Sequence, residues 1–375
     1  GEASIPRKLV ERFREQHSSW EVVFSTFTDT GAERLRELYP NCPVFYWPLD
    51  LSACVDRALN RVRPDMVLLV EQELWPNFLL GCRQAGIPVG VVNGRIRASS
   101  VPFVRAIGRL CQPMWESLAM CCCRSARDAE RFCAAGIPGG RVHVTGSLKY
   151  ESLETNVEEV KLEQLRRLFD LPADVPVLVG GSTHPGEEIV LCRVWRKLRR
   201  QWRDLRLILV PRHIERAESL ARELEEAGFA AVRKTELETA TAKTSENAVV
   251  LVDTIGDLVT CYGLASCAFV GRSLSAPGGG QNMMEPAALG VPVVVGGHTD
   301  NFRPEMEMLR DRNAVLVVDG EAELERAFQK LLSRDDLRHE LGRRGREVIE
   351  HNSGASPATL KWMEKVLCSN SESSV

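Results

Sequence analysis

The pattern best suited to holding an anion is Ser275-Ala-Pro-Gly-Gly-Gly-Gln-Asn-Met-Met-Glu-Pro-Ala-Ala-Leu-Gly290. It follows the apolar run Cys267 to Val270 and leads into a helix expected to begin near Asn282. Gly278, Gly279 and Gly280 let the backbone approach another group closely. A helix N-terminus then offers free N–H groups and a positive dipole end to a phosphate. Glu285, one turn past Asn282, either caps that end or accepts from ribose hydroxyls.

Further signals lie past other strands. Gly180-Gly-Ser-Thr-His-Pro-Gly-Glu-Glu188 is a strand-to-helix turn. It carries the hydroxyls of Ser182 and Thr183 and the imidazole of His184 at the edge where open α/β sheets bind ligands. The plainer reading makes Ser182 and Thr183 helix caps and His184 an ordinary surface residue. In Val210-Pro-Arg-His213, Arg212 is an always-charged fork suited to a phosphate, or half of a surface ion pair. In the first half, Glu71-Gln-Glu-Leu-Trp-Pro-Asn77 puts two carboxylates past the strand Met66 to Val70. If that segment is extended, Glu71 and Glu73 project to one side, where they could do acid/base work or hold a sugar. Arg95, in Asn93-Gly-Arg-Ile-Arg97, and Lys149, in Gly146-Ser-Leu-Lys149, are cations at strand ends that could reach a cleft. No D-x-D or H-E-x-x-H motif occurs. A metal-bridged diphosphate donor is therefore disfavoured, and cations with a helix dipole would have to stabilise a leaving group.

The elements that must position these groups alternate. Helices are expected over Ile5 to Glu15, Gly31 to Leu38, Ser52 to Arg61, Trp75 to Ala85, Val101 to Cys111 and Ala126 to Ala135, with apolar strands between them. The pattern restarts after the polar stretch Tyr150 to Asn156. Strand and helix repeated in this way mean a parallel sheet covered on both faces. The expected architecture is α/β, with two doubly wound Rossmann-like domains facing a central cleft. One covers residues 1–149 and the other 157–353, with a C-terminal helix and tail over 354–375.

The 375 residues suit two domains, and the net charge of −3 gives no general attraction to nucleic acid. Local basic clusters, Arg105 with Arg109 and Arg193 to Arg200, read as solvated helix faces. Twelve cysteines form no C-x-x-C pair, and Cys121, Cys122 and Cys123 sit in an apolar run. They read as small buried hydrophobes in a reducing compartment. No stretch reaches the roughly 18 apolar residues of a membrane span. The chain opens on Gly1-Glu2 without an initiator Met, as a piece of a longer protein would.

Taken together these segments resemble the 3-deoxy-D-manno-octulosonic acid (Kdo) transferases of lipopolysaccharide synthesis. The matches run in order: Val70 to Asn77, Val92-Asn93 with Arg95, Val144 to Lys149, Gly181 to Glu187, Val210 to His213, Gly279 to Asn282 with Glu285-Pro286, and Gly297 to Phe302. The resemblance implies the GT-B fold and an inverting transfer of Kdo from CMP-Kdo to a lipid A precursor of the lipid IVA type, with no cofactor and no metal in the site. Work at the cytoplasmic face of the bacterial inner membrane is implied as well. Glu2 would be the general base, with Glu71 and Glu73 as an acidic acceptor-side motif. Ser182, Thr183, Arg212, Gly279, Gly280, Asn282 and Glu285 would lie on the donor side. A strand and a membrane-anchoring segment would precede Gly1. Gly94, Arg97, Arg272 and Ile214 depart from the usual pattern, Arg272 standing where Gly is usual. A GT-B sugar-nucleotide epimerase and a catalytically impaired nucleotide-binding module are the rival readings.

Overall fold

The computed structural model describes residues 2–96 and 108–372. Arg97, Arg105 and most of the helix expected over Val101 to Cys111 lie outside them, and a helix is described over Gly108–Trp115. The chain divides into Gly1–Ser152 with Asn352–Val375, and Leu153–His351. Four helices bear on the sites: α1 (Arg7–Gln16), α2 (Glu187–Leu198), α3 (Met284–Ala288) and α4 (Ala355–Glu372).

The second unit holds one parallel sheet of seven strands. These are β7 (Val177–Thr183), β8 (Arg206–Pro211), β9 (Ala230–Arg233), β10 (Ala248–Leu251), β11 (Cys267–Val270), β12 (Val293–Gly296) and β13 (Val315–Val318). Their order is β13-β12-β11-β7-β8-β10-β9. Strands covered on both faces need continuous apolar runs, and β10, β11 and β12 are buried throughout. The short edge strand β9 is mostly unburied and lacks such a run, so it escapes a reading of the sequence. The core packs Leu178, Leu191, Trp195, Phe269 and Phe328 together. From β7 the chain winds outward through β8, then returns to the other side of β7 as β11. The loops after β7 and β11 therefore diverge at the switch point of the sheet, where open α/β folds place ligands.

Among the described residues the first unit has six strands: β1 (Phe24–Thr26), β2 (Val44–Tyr46), β3 (Val67–Val70), β4 (Val89–Gly94), β5 (Leu118–Cys123) and β6 (Val142–Val144). They form two parallel sheets, β1-β2 and β3-β4-β5-β6. Cys121, Cys122 and Cys123 are fully buried in β5, and burial pushes the Cys122 thiol up to about 12. The last helix, α4, belongs to this unit and packs on α1 and β5. Its start is held by Glu151, whose carboxylate accepts from Gly354 N at 2.5 Å and Ser356 N at 2.9 Å.

The two sheets leave an opening between them. Phe24 N donates to Pro43 O, and Trp47 N donates to Thr26 O. Phe24 and Thr26 thus face β2, and alternation turns the Ser25 backbone the other way. Val67 and Glu71 donate to β4 and its approach, so Leu68 and Val70 turn theirs away from β4. Both sets line a cavity of about 870 Å³, walled by Phe13, Phe24, Val92 and Met363 among others. Exposed hydrocarbon could not satisfy these backbone groups, whereas one added parallel strand could. In a longer form carrying residues before Gly1, the Ser25, Leu68 and Val70 amides are expected to exchange with deuterium more slowly. Equal exchange in the two forms would mean that no strand fills the gap.

Candidate functional site

In the second unit, two strand ends are bound together by one carboxylate. The first turn of α2 places Glu187 under the loops, 3% exposed. Its Oε2 accepts from His184 N at 2.9 Å and Arg272 N at 2.8 Å. Its Oε1 accepts from Ser273 N at 2.9 Å and Leu274 N at 3.1 Å. Charge-assisted bonds of this kind are the strong ones, and four of them satisfy a buried anion that would otherwise be costly. The Ser273 hydroxyl donates to Val270 O and accepts from Gly296 N, which ties in β12.

The expected donor-side residues divide into two groups. Ser182, Arg212, Asn282 and Glu285 remain at or near the surface. Arg212 is exposed and, among the described residues, has no ion-pair partner. Asn282 Nδ2 donates to Glu285 Oε1 at 3.0 Å. Burial, the main influence, raises the Glu285 carboxyl above its ordinary value. The Asn282 hydrogen bond and the Arg212 charge oppose that rise, while Glu154 adds to it. His184 lies with Nε2 3.2 Å from the Gln281 amide nitrogen. Burial above all lowers its pKa, helped by Arg272, His213 and Arg216.

The other group is internal. Thr183 is the last residue of β7 and fully buried. It is neither a cap nor a surface contact, and its carbonyl accepts from Arg212 N at 3.0 Å. Gly279 and Gly280 are buried too, and their amides are already used, Gly279 N by His298 O and Gly280 N by Arg272 O. A Cβ on Gly278 would collide with His298. The glycine run therefore packs against its own chain instead of cradling a phosphate. The helix beyond it, α3, has five residues, starts after Met283, which gives it no side-chain cap, and stops before Gly290 at φ +74°. Its dipole is small, and Met284 N already donates to Asn282 Oδ1. The expected helix-end phosphate site is corrected accordingly.

The first unit gathers a second constellation. Glu71 does not continue β3 in extended form but turns at φ +62°. Its Oε1 pairs with Lys149 Nζ at 2.8 Å and accepts from Asn93 Nδ2 at 3.3 Å. Asn93 is fully buried at φ +54°. Its Oδ1 accepts from Leu148 N at 3.1 Å and the Ser147 hydroxyl at 3.3 Å. Glu73 stands apart, exposed, accepting from Trp75 Nε1 at 2.9 Å. The expected pairing of Glu71 with Glu73 fails because the turn at Glu71 sends them to separate partners. Lys149 is spoken for by Glu71, while Arg95 is exposed just past β4. Glu2 lies in the short 3-10 turn Glu2–Ser4 ahead of α1. Asn93 and Glu187 are the positioning residues that the pattern of types did not single out.

Ser182 and Arg272 are also held at positive φ, +51° and +55°. Each of these four non-glycine residues sits at a strand's C-terminal end. Such backbone costs on the order of 1–3 kcal/mol per residue and collects at functional sites. Among the described residues no cluster of three or more His, Cys, Asp or Glu is placed to hold a metal ion.

Residues 1–152 match the family model described as 3-deoxy-D-manno-octulosonic-acid transferase (kdotransferase). The Haemophilus influenzae 3-deoxy-D-manno-octulosonic acid transferase is 34% identical over 370 residues, covering 98% of this chain and 85% of that protein. The chain belongs to the Kdo transferase family. The Bordetella pertussis member is 32% identical over 329 residues, covering 84% of this chain and 73% of its own length. The resemblance drawn from the motifs is thus borne out. Among solved structures, UDP-GlcNAc 2-epimerase from Neisseria meningitidis aligns with a TM-score of 0.65 at 14% identity, over 97% of each chain. A glycosyltransferase from Rickettsia africae aligns with 0.60 at 13% identity, over 97% of this chain and 94% of that one. These likenesses show the fold, GT-B with two Rossmann-like domains.

Two measurements probe this geometry. In Glu187→Gln, whichever oxygen becomes the amide nitrogen loses two N–H partners and faces two donors. Roughly 3 kcal/mol of stability should be lost, and a denaturation curve matching wild type would refute the tether. In Glu285→Gln, an acceptor for Asn282 is kept and the desolvated charge removed. The native state holds the Glu285 proton more tightly than the unfolded chain does, so stability falls as pH rises from the ordinary carboxylate range through the raised pKa. The variant should therefore melt higher than wild type above that window and equal it well below. A pH-independent difference would remove the desolvation account.

Proposed function

We propose that this Kdo transferase family member takes Kdo from CMP-Kdo and places it, with inversion, on a lipid A precursor of the lipid IVA type. Its setting is the cytoplasmic face of the bacterial inner membrane. The observation that carries the reading is the surface grouping at the switch point of the second unit. There Ser182, Asn282 and Glu285 offer a hydroxyl, an amide and a carboxylate beside the unpaired cation of Arg212. That set suits a nucleoside monophosphate. The carboxylate accepts from ribose hydroxyls, and the guanidinium meets phosphate in a planar fork.

The reaction is a single displacement. An acceptor hydroxyl gives its proton to Glu2 while its oxygen forms a bond to the anomeric carbon of Kdo. The bond from that carbon to the phosphate oxygen breaks, and CMP leaves with the electron pair, its charge taken up by Arg212. Glu2 is preferred as base because Glu71 is held as the charged partner of Lys149 and Asn93 and Glu73 by Trp75. Glu71 and Lys149 instead suit the hydroxyl and anionic groups of an acceptor sugar. Leaving-group stabilisation by Arg212 needs no divalent ion.

Calorimetry with CMP is the test. Wild type should bind CMP equally with and without EDTA, and Arg212→Ala should bind more weakly by about 1.5–3 kcal/mol, the worth of a hydrogen bond to a charged group. Loss of binding on chelation, or an unchanged dissociation constant in a normally melting variant, would overturn the assignment.

A further inference from the structure

We propose that Arg272 binds an anionic group of the donor substrate, a phosphate or a sugar-acid carboxylate, and that the fold accepts a strained backbone to present it. The proposal rests on the donor reading above. Arg272 sits two residues past β11, at the switch point, with φ +55°. Left-handed backbone is adopted readily by Gly and tolerated by Asn or Asp, but not favoured by a long side chain.

The strain is imposed from both sides of the residue. Arg272 N donates to the buried Glu187 carboxylate, as do the next two amides. Arg272 O accepts from Gly280 N at 2.8 Å. With both peptide groups pinned, the direction in which the side chain leaves is set by the fold. Yet that side chain is exposed, and among the described residues its guanidinium makes no hydrogen bond or ion pair. The backbone bonds hold the conformation, but no partner among the described residues engages the guanidinium. His184 lies close enough to feel the charges of Arg272, His213 and Arg216 and, in the opposite sense, Glu187; Arg216 is paired with Glu188, and Glu187 is consumed by four amides. An unpaired, desolvation-free fork beside other positive groups is matched by an anion, and Arg212 alone would face a donor that carries two.

The test separates function from stability. Arg272→Gly removes the charge and installs the residue that left-handed backbone prefers, so its melting temperature should equal or exceed that of wild type. Its affinity should nevertheless fall about tenfold for the group that Arg272 holds, as loss of a charge-assisted bond implies, and Arg272→Lys should restore part of it. Three probes locate the group by calorimetry: CMP, cytidine, and Kdo in the presence of saturating CMP. Weaker CMP with unchanged cytidine assigns the phosphate. Unchanged CMP with weaker Kdo assigns the carboxylate. Wild-type affinity for all three overturns the proposal, as does a loss of affinity that merely follows a lower melting temperature. If wild type itself binds none of the probes, the donor reading has failed first.

Discussion

The site of the second unit depends on the hydrogen bonds to one buried carboxylate. Glu187 joins the turn after β7 to the segment after β11, parts of the chain 85 residues or more apart. A buried anion is tolerable only when its lone pairs are filled, and here four backbone amides fill them. Because Arg272 in turn accepts from Gly280 and Ser273 holds both Gly296 and His298, the tether reaches the glycine run and the end of β12. The surface groups Ser182, Arg212 and Glu285 thus stand on a body whose loops are fixed from beneath. Such preorganisation is what a ligand site of defined geometry requires.

The first unit uses a neutral equivalent. Asn93, at the end of β4, ties the turn after β3 to the segment after β6, donating to Glu71 and accepting from Ser147 and Leu148. In both units the tie demands left-handed backbone at non-glycine residues. In the second unit, burial also disfavours ionisation of the Glu285 carboxyl. These are local sacrifices of stability at the places where chemistry is expected, a common relation between stability and activity.

Much of this was legible in the chain. The parallel strands of the second unit are buried on both faces, so their apolar runs stand out, and they lead to Ser182 near the end of β7 and Arg212 just past β8. The motifs also identified the family. What was not legible depends on partners distant in sequence. Nothing local says that Gly279 and Gly280 surrender their amides to His298 and Arg272, or that Glu71 finds Lys149 rather than Glu73. The turn at Glu71 could not be foreseen, because a carboxylate after a strand gives no sign of positive φ. Glu187 stood in its strand-to-helix turn without a role of its own, and only the fold reveals which amides it collects.

The bond from Glu151 to the start of α4 has a consequence for how such a protein is assembled. Residues 153–351 enter and leave the first unit at points that this carboxylate holds side by side. In terms of connectivity, the second unit is an insertion between the first unit and its own last helix. Insertions with adjoining ends are tolerated because they leave the host's packing undisturbed. The host keeps its closing helix whatever the inserted unit contains. A lineage could therefore exchange the inserted unit while inheriting the first unit intact.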